Sequence, residues 1–524
     1  AVYAAVTLAR TGHLTESRAV YDWMKNTTYR DFESWGRKGF WKQKYTTDGY
    51  VVWGAPQIDE TAVFPWGVWY QYQMTADTSM LASYVDQVRD SIESMTRDSS
   101  DSRLRFEEAF NLVYSNNVWE DSYDTFVYSN ANVVRGLWDA GSILNSLGLF
   151  SEAASATGKG NMIKSGLDAR LDWNGENTDV SQLGIVYPFS VYSPTDPRAA
   201  LVVDRINGVA TDRFGNNHPL INFSGEHQDT VNRYWGDSYW NGGPWFLTTL
   251  WYGLYYAQRA DLTQGSADID NHKHRIDLMI DRIGPVGMGA EQIAYSTGPG
   301  ASPLYPGQPD FLLQTAWPNA WESMSTFIDS IMAFLDFQPD APSNTIVVAP
   351  KLPSDWNTMT FRGVTLVNTP AGHTHRVDIT AEEDDALGLH THTFTNTSGH
   401  PLNAGTTIRV PAGSPVYTVT RNGAPWPFTH NNALGAVTIA PAPLDTGANA
   451  QTTFTVTTDC PADVTNDGSV DVLDFLDFID SFGACENQPG PCAGGSGVNA
   501  DFNADTSVDV LDFLDFFDRF GQGC

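Results

Sequence analysis

The chain has no cysteine in residues 1–459 and little positive charge: 30 Lys and Arg stand against 62 Asp and Glu in 524 residues, a net charge of −32. A general nucleic-acid-binding surface needs a basic footprint, so that class is excluded, and a neutral substrate fits better. No apolar run is long enough to cross a bilayer. The first residues, Ala1-Val2-Tyr3-Ala4-Ala5-Val6, lack a basic region and a cleavage site and read as the middle of a helix. A signal peptide is therefore not in this chain, and a mature or truncated start is expected. The four cysteines, Cys460, Cys485, Cys492 and Cys524, are confined to residues 460–524. Such clustering favours disulfides, with three pairings open, and an extracellular or cell-surface setting.

What the chain does have is length and aromatic surface. At 524 residues it exceeds one small core, so two or three domains are expected. Its 17 Trp are more than a core demands. Excess Trp is common where flat faces stack on sugar rings, although core packing is the ordinary reason for any one of them.

Residues 1–338 carry apolar spacing of helical period. Phe246, Leu250 and Leu254 share one face of a predicted helix, and Phe327–Phe334 repeats the pattern. Loops rich in Trp, Gly, Pro and carboxylates lead into apolar helices after Trp53, Trp119, Trp240 and Trp317. This recurrence predicts stacked helical hairpins with their loops at one end, an (α/α)6 toroid that is incomplete at the N-terminus. Composition changes at Pro339-Asp340-Ala341-Pro342. From 339 to 459, short runs such as Thr345–Val348, Thr407–Val410 and Thr453–Val456 alternate with turn residues, which predicts a β-sandwich. His373, His375, His390, His392 and His400 lie there without metal-ligand spacing and are expected on strand surfaces.

Residues 460–524 contain a duplication. Asp463, Thr465, Asp467, Asp471 and Asp474 in the first copy match Asp501, Asn503, Asp505, Asp509 and Asp512 in the second. These are positions 1, 3, 5, 9 and 12 of an EF-hand-like loop, where hard oxygen ligands wrap Ca2+. The segment has 13 acidic residues and one basic, Arg519, so folding without cations is disfavoured. It resembles the dockerin-type paired calcium repeats of secreted enzymes, which implies a cohesin-like protein partner. Thr506 stands where the sharp turn usually takes Gly, and the second site is expected to bind more weakly.

Two glutamates carry the chemistry. Glu120 lies in Asn117-Val118-Trp119-Glu120-Asp121 and Glu291 in Gly289-Ala290-Glu291-Gln292. Glycosidic hydrolysis needs one carboxylic acid to protonate the leaving oxygen and one carboxylate to activate water or attack carbon. Around them stand Trp53-Gly54-Ala55-Pro56-Gln57-Ile58-Asp59-Glu60, Arg233-Tyr234-Trp235-Gly236-Asp237, Gly242-Gly243-Pro244-Trp245 and Trp317-Pro318-Asn319-Ala320-Trp321. From the residues alone, Arg233 binds sugar or simply pairs with Asp237.

Taken together, these motifs resemble the glucoamylase family, glycoside hydrolase family 15, over residues 1 to about 336. The resemblance implies Glu120 as general acid and Glu291 as general base. It implies that Arg233 binds sugar hydroxyls and that Trp53, Trp119 and Trp317 wall the innermost subsites. Asp121 stands where the family usually has Glu, at a sugar-contact position, and Ala290 replaces a usual Pro. A Trp-x-Arg-Asp sugar clamp precedes a helix like residues 1–12 in this family, and it is not in this chain. The implied reaction inverts the anomeric centre and releases β-glucose from non-reducing ends of α-glucans. The same fold acting on α-1,6-linked glucans (dextran, isomaltose) or on trehalose is an alternative. So is a catalytically impaired protein that binds carbohydrate or attaches through calcium. No cofactor is expected for catalysis.

Overall fold

The computed structural model describes residues 1–35, 39–97, 103–173, 177–239, 242–263, 266–283, 289–293, 319–384, 388–458, 462–465, 470–485, 500–502 and 507–522. Its first part is helical: α1 (Val2–Arg10), α2 (Leu14–Trp35), α3 (Asp59–Thr75), α4 (Thr78–Thr96), α5 (Val127–Ser146), α6 (Phe150–Trp173), α7 (Pro197–Ile206), α8 (Phe246–Arg259), α9 (Ser266–Ile280) and α10 (Ser325–Met332). Short strands β1 (Lys44–Tyr45), β2 (Val51–Trp53), β3 (Arg105–Glu107), β4 (Leu112–Asn116) and β5 (Tyr123–Asp124) lie in the connections.

The apolar pattern on α8 promises one buried face, but every residue from Phe246 to Ala257 is buried. A helix covered on all sides is an inner element rather than a surface one. The contacts show why. α1 packs on α3, α3 on α5, α5 on the 3-10 turn Val180–Ile185, that turn on α8, α8 on α10, and α10 back on α1. The circuit closes on itself, while α2, α4, α6, α7 and α9 flank it as partners of α1, α3, α5, the 3-10 turn and α8. Close approach is built in. At Gly136 on α5 a methyl group would collide with the Ala62 carbonyl of α3. At the α1–α10 seam, buried Asp329 accepts from Thr7 Oγ1 at 3.0 Å and Tyr187 Oη at 2.7 Å, and pairs with Arg10 at 2.8 Å. The loops after Trp53 and Trp119 lead into α3 and α5, and those after Trp240 and Trp317 precede α8 and α10. All four helices belong to the circuit.

The chain then turns to strands: β6 (Gln338–Asp340), β7 (Thr345–Val348), β8 (Thr358–Asn368), β9 (His373–Asp384), β10 (Leu389–Asn396), β11 (Asn403–Arg409), β12 (Thr418–Arg421), β13 (Ala424–Pro425), β14 (Thr429–Asn431), β15 (Ala436–Pro443) and β16 (Ala450–Thr457). They form a six-stranded sheet, β13-β12-β16-β10-β9-β8, and a five-stranded sheet, β14-β15-β11-β7-β6. Val364, Ile379, Phe394 and Phe454 of the first share one core with Ile346, Ile408, Val437 and Ile439 of the second. The strand-surface expectation for the histidines fails in part. His375, His390 and His392 are buried, because strand alternation turns those positions inward. Burial holds His375 down to about 4 and His392 to about 3, so both are neutral core groups.

Lys351 and Arg409 of the β region each reach Asp261 at 2.6 Å, tying it to the helical part. Beyond it, α11 (Val472–Cys485) and α12 (Val510–Gln522) follow the two acidic loops. Phe478 and Phe516 stack between these helices at 3.9 Å and 8°. Cys485 is buried and disulfide-bonded; the other three cysteines lie outside the described residues.

Candidate active site

Glu120 sits at the tip of the hairpin that joins β4 to β5. The turn is tied by Asn117, whose backbone N–H donates to Ser122 O at 2.9 Å and whose side chain brackets Asp121. The Glu120 N–H donates to Asn117 O at 3.1 Å. Glu120 itself adopts a left-handed backbone, φ 68°. A non-glycine residue there costs on the order of 1 kcal/mol or more, and such strain collects where a side chain must be aimed. The loop before α3 fixes the hairpin from below. Gln57 Nε2 donates to Asn117 O at 2.8 Å and to Asp59 Oδ2 at 2.9 Å.

The Glu120 side chain lines a cavity of about 370 Å3. Its walls come from the N-terminal turns of α1, α3 and α5 and the turn before α10, through Tyr3, Asp59, Glu60, Tyr128, Asn132 and Trp321. Trp23, Trp41 and Tyr45 add aromatic surface. Lys44 Nζ pairs with Glu120 Oε2 at 3.1 Å and stands 6.0 Å from the Trp53 ring. Asp59 is buried, and that burial pushes its carboxyl up to about 6. Glu60 is driven well upward by burial first, then by Asp59 beside it and Glu120 across the cavity.

Glu291 is placed by a second set of loops. Gln292 pairs with Trp245 in a bridge, Ile293 N–H donates to Pro244 O at 2.8 Å, and Ser323 Oγ bonds Ala290 O. Tyr239 Oη donates to Glu291 Oε2 at 3.3 Å. One aromatic cluster joins this segment to the Glu120 hairpin. Trp245 packs on Tyr239 and on Trp119 with centroids 5.7 and 5.8 Å apart, and Arg233 lies 4.4 Å from the Trp245 ring and 5.3 Å from that of Trp119. Trp119 Nε1 donates to Asp179 at 2.8 Å.

The sequence-assigned residues thus divide. Glu120, Trp119, Arg233 and Glu291 belong to one connected set. Arg233 has two of its nitrogens on Asp237, at 2.7 and 2.6 Å. Asp121 has both oxygens on protein donors, Oδ1 with Asn117 and Oδ2 with Tyr234 at 2.6 Å. Trp53 is half-exposed beside Lys44, and Trp317 lies outside the described residues. Trp321, four residues on in the same motif, lines the cavity. Lys44 carries no sequence signal, and Glu60 had one only as a neighbour of Asp59.

In the C-terminal loops, Asp463, Thr465, Asp471, Asp474, Asp501, Asp509 and Asp512 are described, whereas Asp467, Asn503 and Asp505 lie outside the described residues. Thr465 and Asp471 N–H groups donate to the two oxygens of Asp474 at 2.9 and 2.8 Å, and Asp509 N–H does the same to Asp512 at 2.8 Å. These bonds hold Asp474 below the usual carboxylate range despite burial. Among the described residues, no three His, Cys, Asp or Glu side chains form a ready metal cluster. Asp474, Asp501 and Asp512 are nonetheless buried in a segment with a single basic residue. Their hard oxygen donors are of the type that suits a divalent ion such as Ca2+.

No protein-family model matches the chain. It is 24% identical over 230 residues to an uncharacterized glycosyl hydrolase of Methanocaldococcus jannaschii, a match spanning 42% of this chain and 34% of that protein. The chain therefore spans about a third of the length of that curated relative. An α-L-rhamnosidase from Dictyoglumus thermophilum has the same fold, with TM-score 0.50 and 9% identity over 87% of this chain and 45% of that one. A bacterial glucoamylase complexed with acarbose aligns at TM-score 0.41 and 14% identity, over 64% and 47%. These similar proteins are glycosidases. Among the described residues no helix is long and apolar enough to cross a membrane.

Proposed function

We propose that this chain is an inverting, exo-acting glycoside hydrolase that releases glucose from the non-reducing ends of α-glucans. One observation carries the reading: Glu120 is aimed from a strained hairpin tip into an aromatic-walled cavity at the starts of the inner helices, and a single Trp119–Arg233–Trp245–Tyr239 cluster links it to Glu291. The glycosidase relatives support the same class. In this reading the closed helical circuit is an (α/α)6 toroid, the two facing sheets are a β-sandwich, and residues 460–524 are a paired EF-hand-like module.

Glu120 protonates the glycosidic oxygen as general acid, and Glu291 takes a proton from the water that attacks the anomeric carbon from the opposite face. Inversion requires the two carboxyls roughly 6.5–9.5 Å apart, with room for that water. Lys44 Nζ pairs with Glu120 Oε2 and helps to position the carboxyl. Trp119 and Arg233 form the wall between the two acids. Trp53 and Trp317 remain candidate sugar platforms, and Asp121 acts by holding the hairpin.

Ca2+ bound at the two acidic loops would neutralise their buried carboxylates and hold the module folded. The module exposes one apolar triad twice, Val472, Leu473 and Leu476 on α11 and Val510, Leu511 and Leu514 on α12. A repeated exposed apolar patch suits a protein partner of cohesin type, and with it a secreted, cell-surface or extracellular location. The deciding experiment assays starch, maltose, isomaltose, dextran and trehalose for released glucose. Turnover of maltose or starch is expected, and turnover of trehalose alone would overturn the substrate assignment.

A further inference from the structure

The turn that follows Arg233 touches both acid-bearing loops and carries an exposed tryptophan that the proposed proton transfers do not use. Tyr234 Oη donates to Asp121 Oδ2 at 2.6 Å, next to Glu120 in the chain. Further along, Tyr239 Oη donates to Glu291 Oε2 at 3.3 Å. Between these anchors, Asp237 N–H donates to Tyr234 O at 3.4 Å and Gly236 takes φ 80°. Positive φ at the third residue is what a type II turn requires, and such a turn favours proline at the second. Trp235 occupies that second position, so the backbone does not call for an indole there.

The turn is held from within. Asp237 accepts two hydrogen bonds from the Arg233 guanidinium and one from Tyr239 N–H at 2.9 Å. Trp235 stacks on His218, with ring centroids 3.9 Å apart and planes at 8°. One face of the indole is thus covered. Because the residue is still 59% exposed, the other face is open to solvent. An apolar face left in water forgoes the free energy of covering it. Held flat and open, it suits a ring with C–H groups on its faces and hydroxyls at its edge, as a glucose unit has.

Position sets which ring it meets. Exo cleavage seats the terminal sugar in the cavity beside Glu120, so the rest of the chain leaves along the surrounding surface. Trp235 lies outside the lining of that cavity. Resting on the glycosidase reading above, we propose that Trp235, backed by His218, is a binding platform for the glucan chain beyond the two units that flank the cleaved bond. It makes the site prefer long chains to short ones and takes no part in proton transfer.

Chain length reads this out. On the whole chain, kcat and KM are compared for maltose and maltoheptaose. Trp235→Ala should lower kcat/KM for maltoheptaose about tenfold, through KM, and leave maltose within about twofold. Trp235→Leu, which keeps apolar bulk without a flat face, should behave as the Ala variant does. Trp235→Phe should recover most of the loss, and His218→Ala should fall between wild type and Trp235→Ala. Unchanged maltose turnover shows that the fold is intact. Equal losses on both sugars, or no loss on either, overturn the platform and leave the glycosidase reading standing. If the wild type cleaves neither sugar, the platform and the α-glucan reading fall together.

Discussion

Arg233 grips Asp237 through two hydrogen bonds of 2.7 and 2.6 Å, and both side chains are almost wholly buried. The pair lies against the Trp119 and Trp245 rings between the two proposed catalytic loops. The guanidinium therefore props the wall of the site. Removing Asp237 leaves a buried cation unpaired, so Asp237→Ala should cost about 3–5 kcal/mol, read by chemical denaturation. Arg233→Lys should not rescue the wall, because an ammonium cannot form the planar two-point contact. Wild-type stability in either variant would show the pair to be dispensable.

Glu120 combines backbone strain with a proposed proton transfer. Glu120→Gln should lower turnover by about 10²–10⁴-fold with the fold intact, measured as glucose release and circular dichroism. Glu120→Gly should abolish turnover yet raise the melting temperature slightly, since glycine accepts φ 68° without strain. A Gly variant that melts lower would mean the turn is not strained.

Product stereochemistry tests Glu291. Proton NMR during early turnover should show the β anomer of glucose first, and Glu291→Ala should abolish its formation. Appearance of the α anomer first would remove Glu291 from the base role.

Asp59 gives a pH dependence of known sign. Burial raises its folded carboxyl to about 6, against about 3.9 in the unfolded chain. The folded state therefore keeps a proton that the unfolded state has released, so this contribution is full below about pH 4 and is lost as pH rises through 6. Asp59→Asn has no such loss. Its stability relative to wild type should rise by about 2–3 kcal/mol between pH 4 and pH 7, followed by denaturant titration across that range. A constant difference would contradict the raised carboxyl.

Chelation separates the two ends of the chain. EDTA should melt α11 and α12, seen as lost helical ellipticity in residues 460–524, while glucose release is unchanged. Calorimetric titration should find two calcium sites, with the second loop weaker because Thr506 replaces the usual glycine. Asp512→Ala should weaken that site further. A single tight site, or none, would sink the paired-loop assignment.

Much of this architecture is written locally. The 3.6-residue spacing marks the helices, short β-rich runs mark β7, β11 and β16, and the duplicated oxygen spacing marks the acidic loops. Loop composition even singled out α3, α5, α8 and α10, all members of the closed circuit. These features are legible because period and spacing are properties of neighbouring residues. The site was less so. Trp321 lines the cavity beside Tyr3, Glu60 and Glu120 although these residues are far apart in the chain, and no motif marks Lys44 as the partner of Glu120. The sequence left Arg233 open between sugar and Asp237, and the inward turn of His375, His390 and His392 depended on strand register. The amino-acid order determined which segments become helix, strand and acidic loop, and which acids are candidates. Only packing of helices from distant parts of the chain decided which side chains share a cavity, because burial and charge pairing depend on what the fold brings alongside.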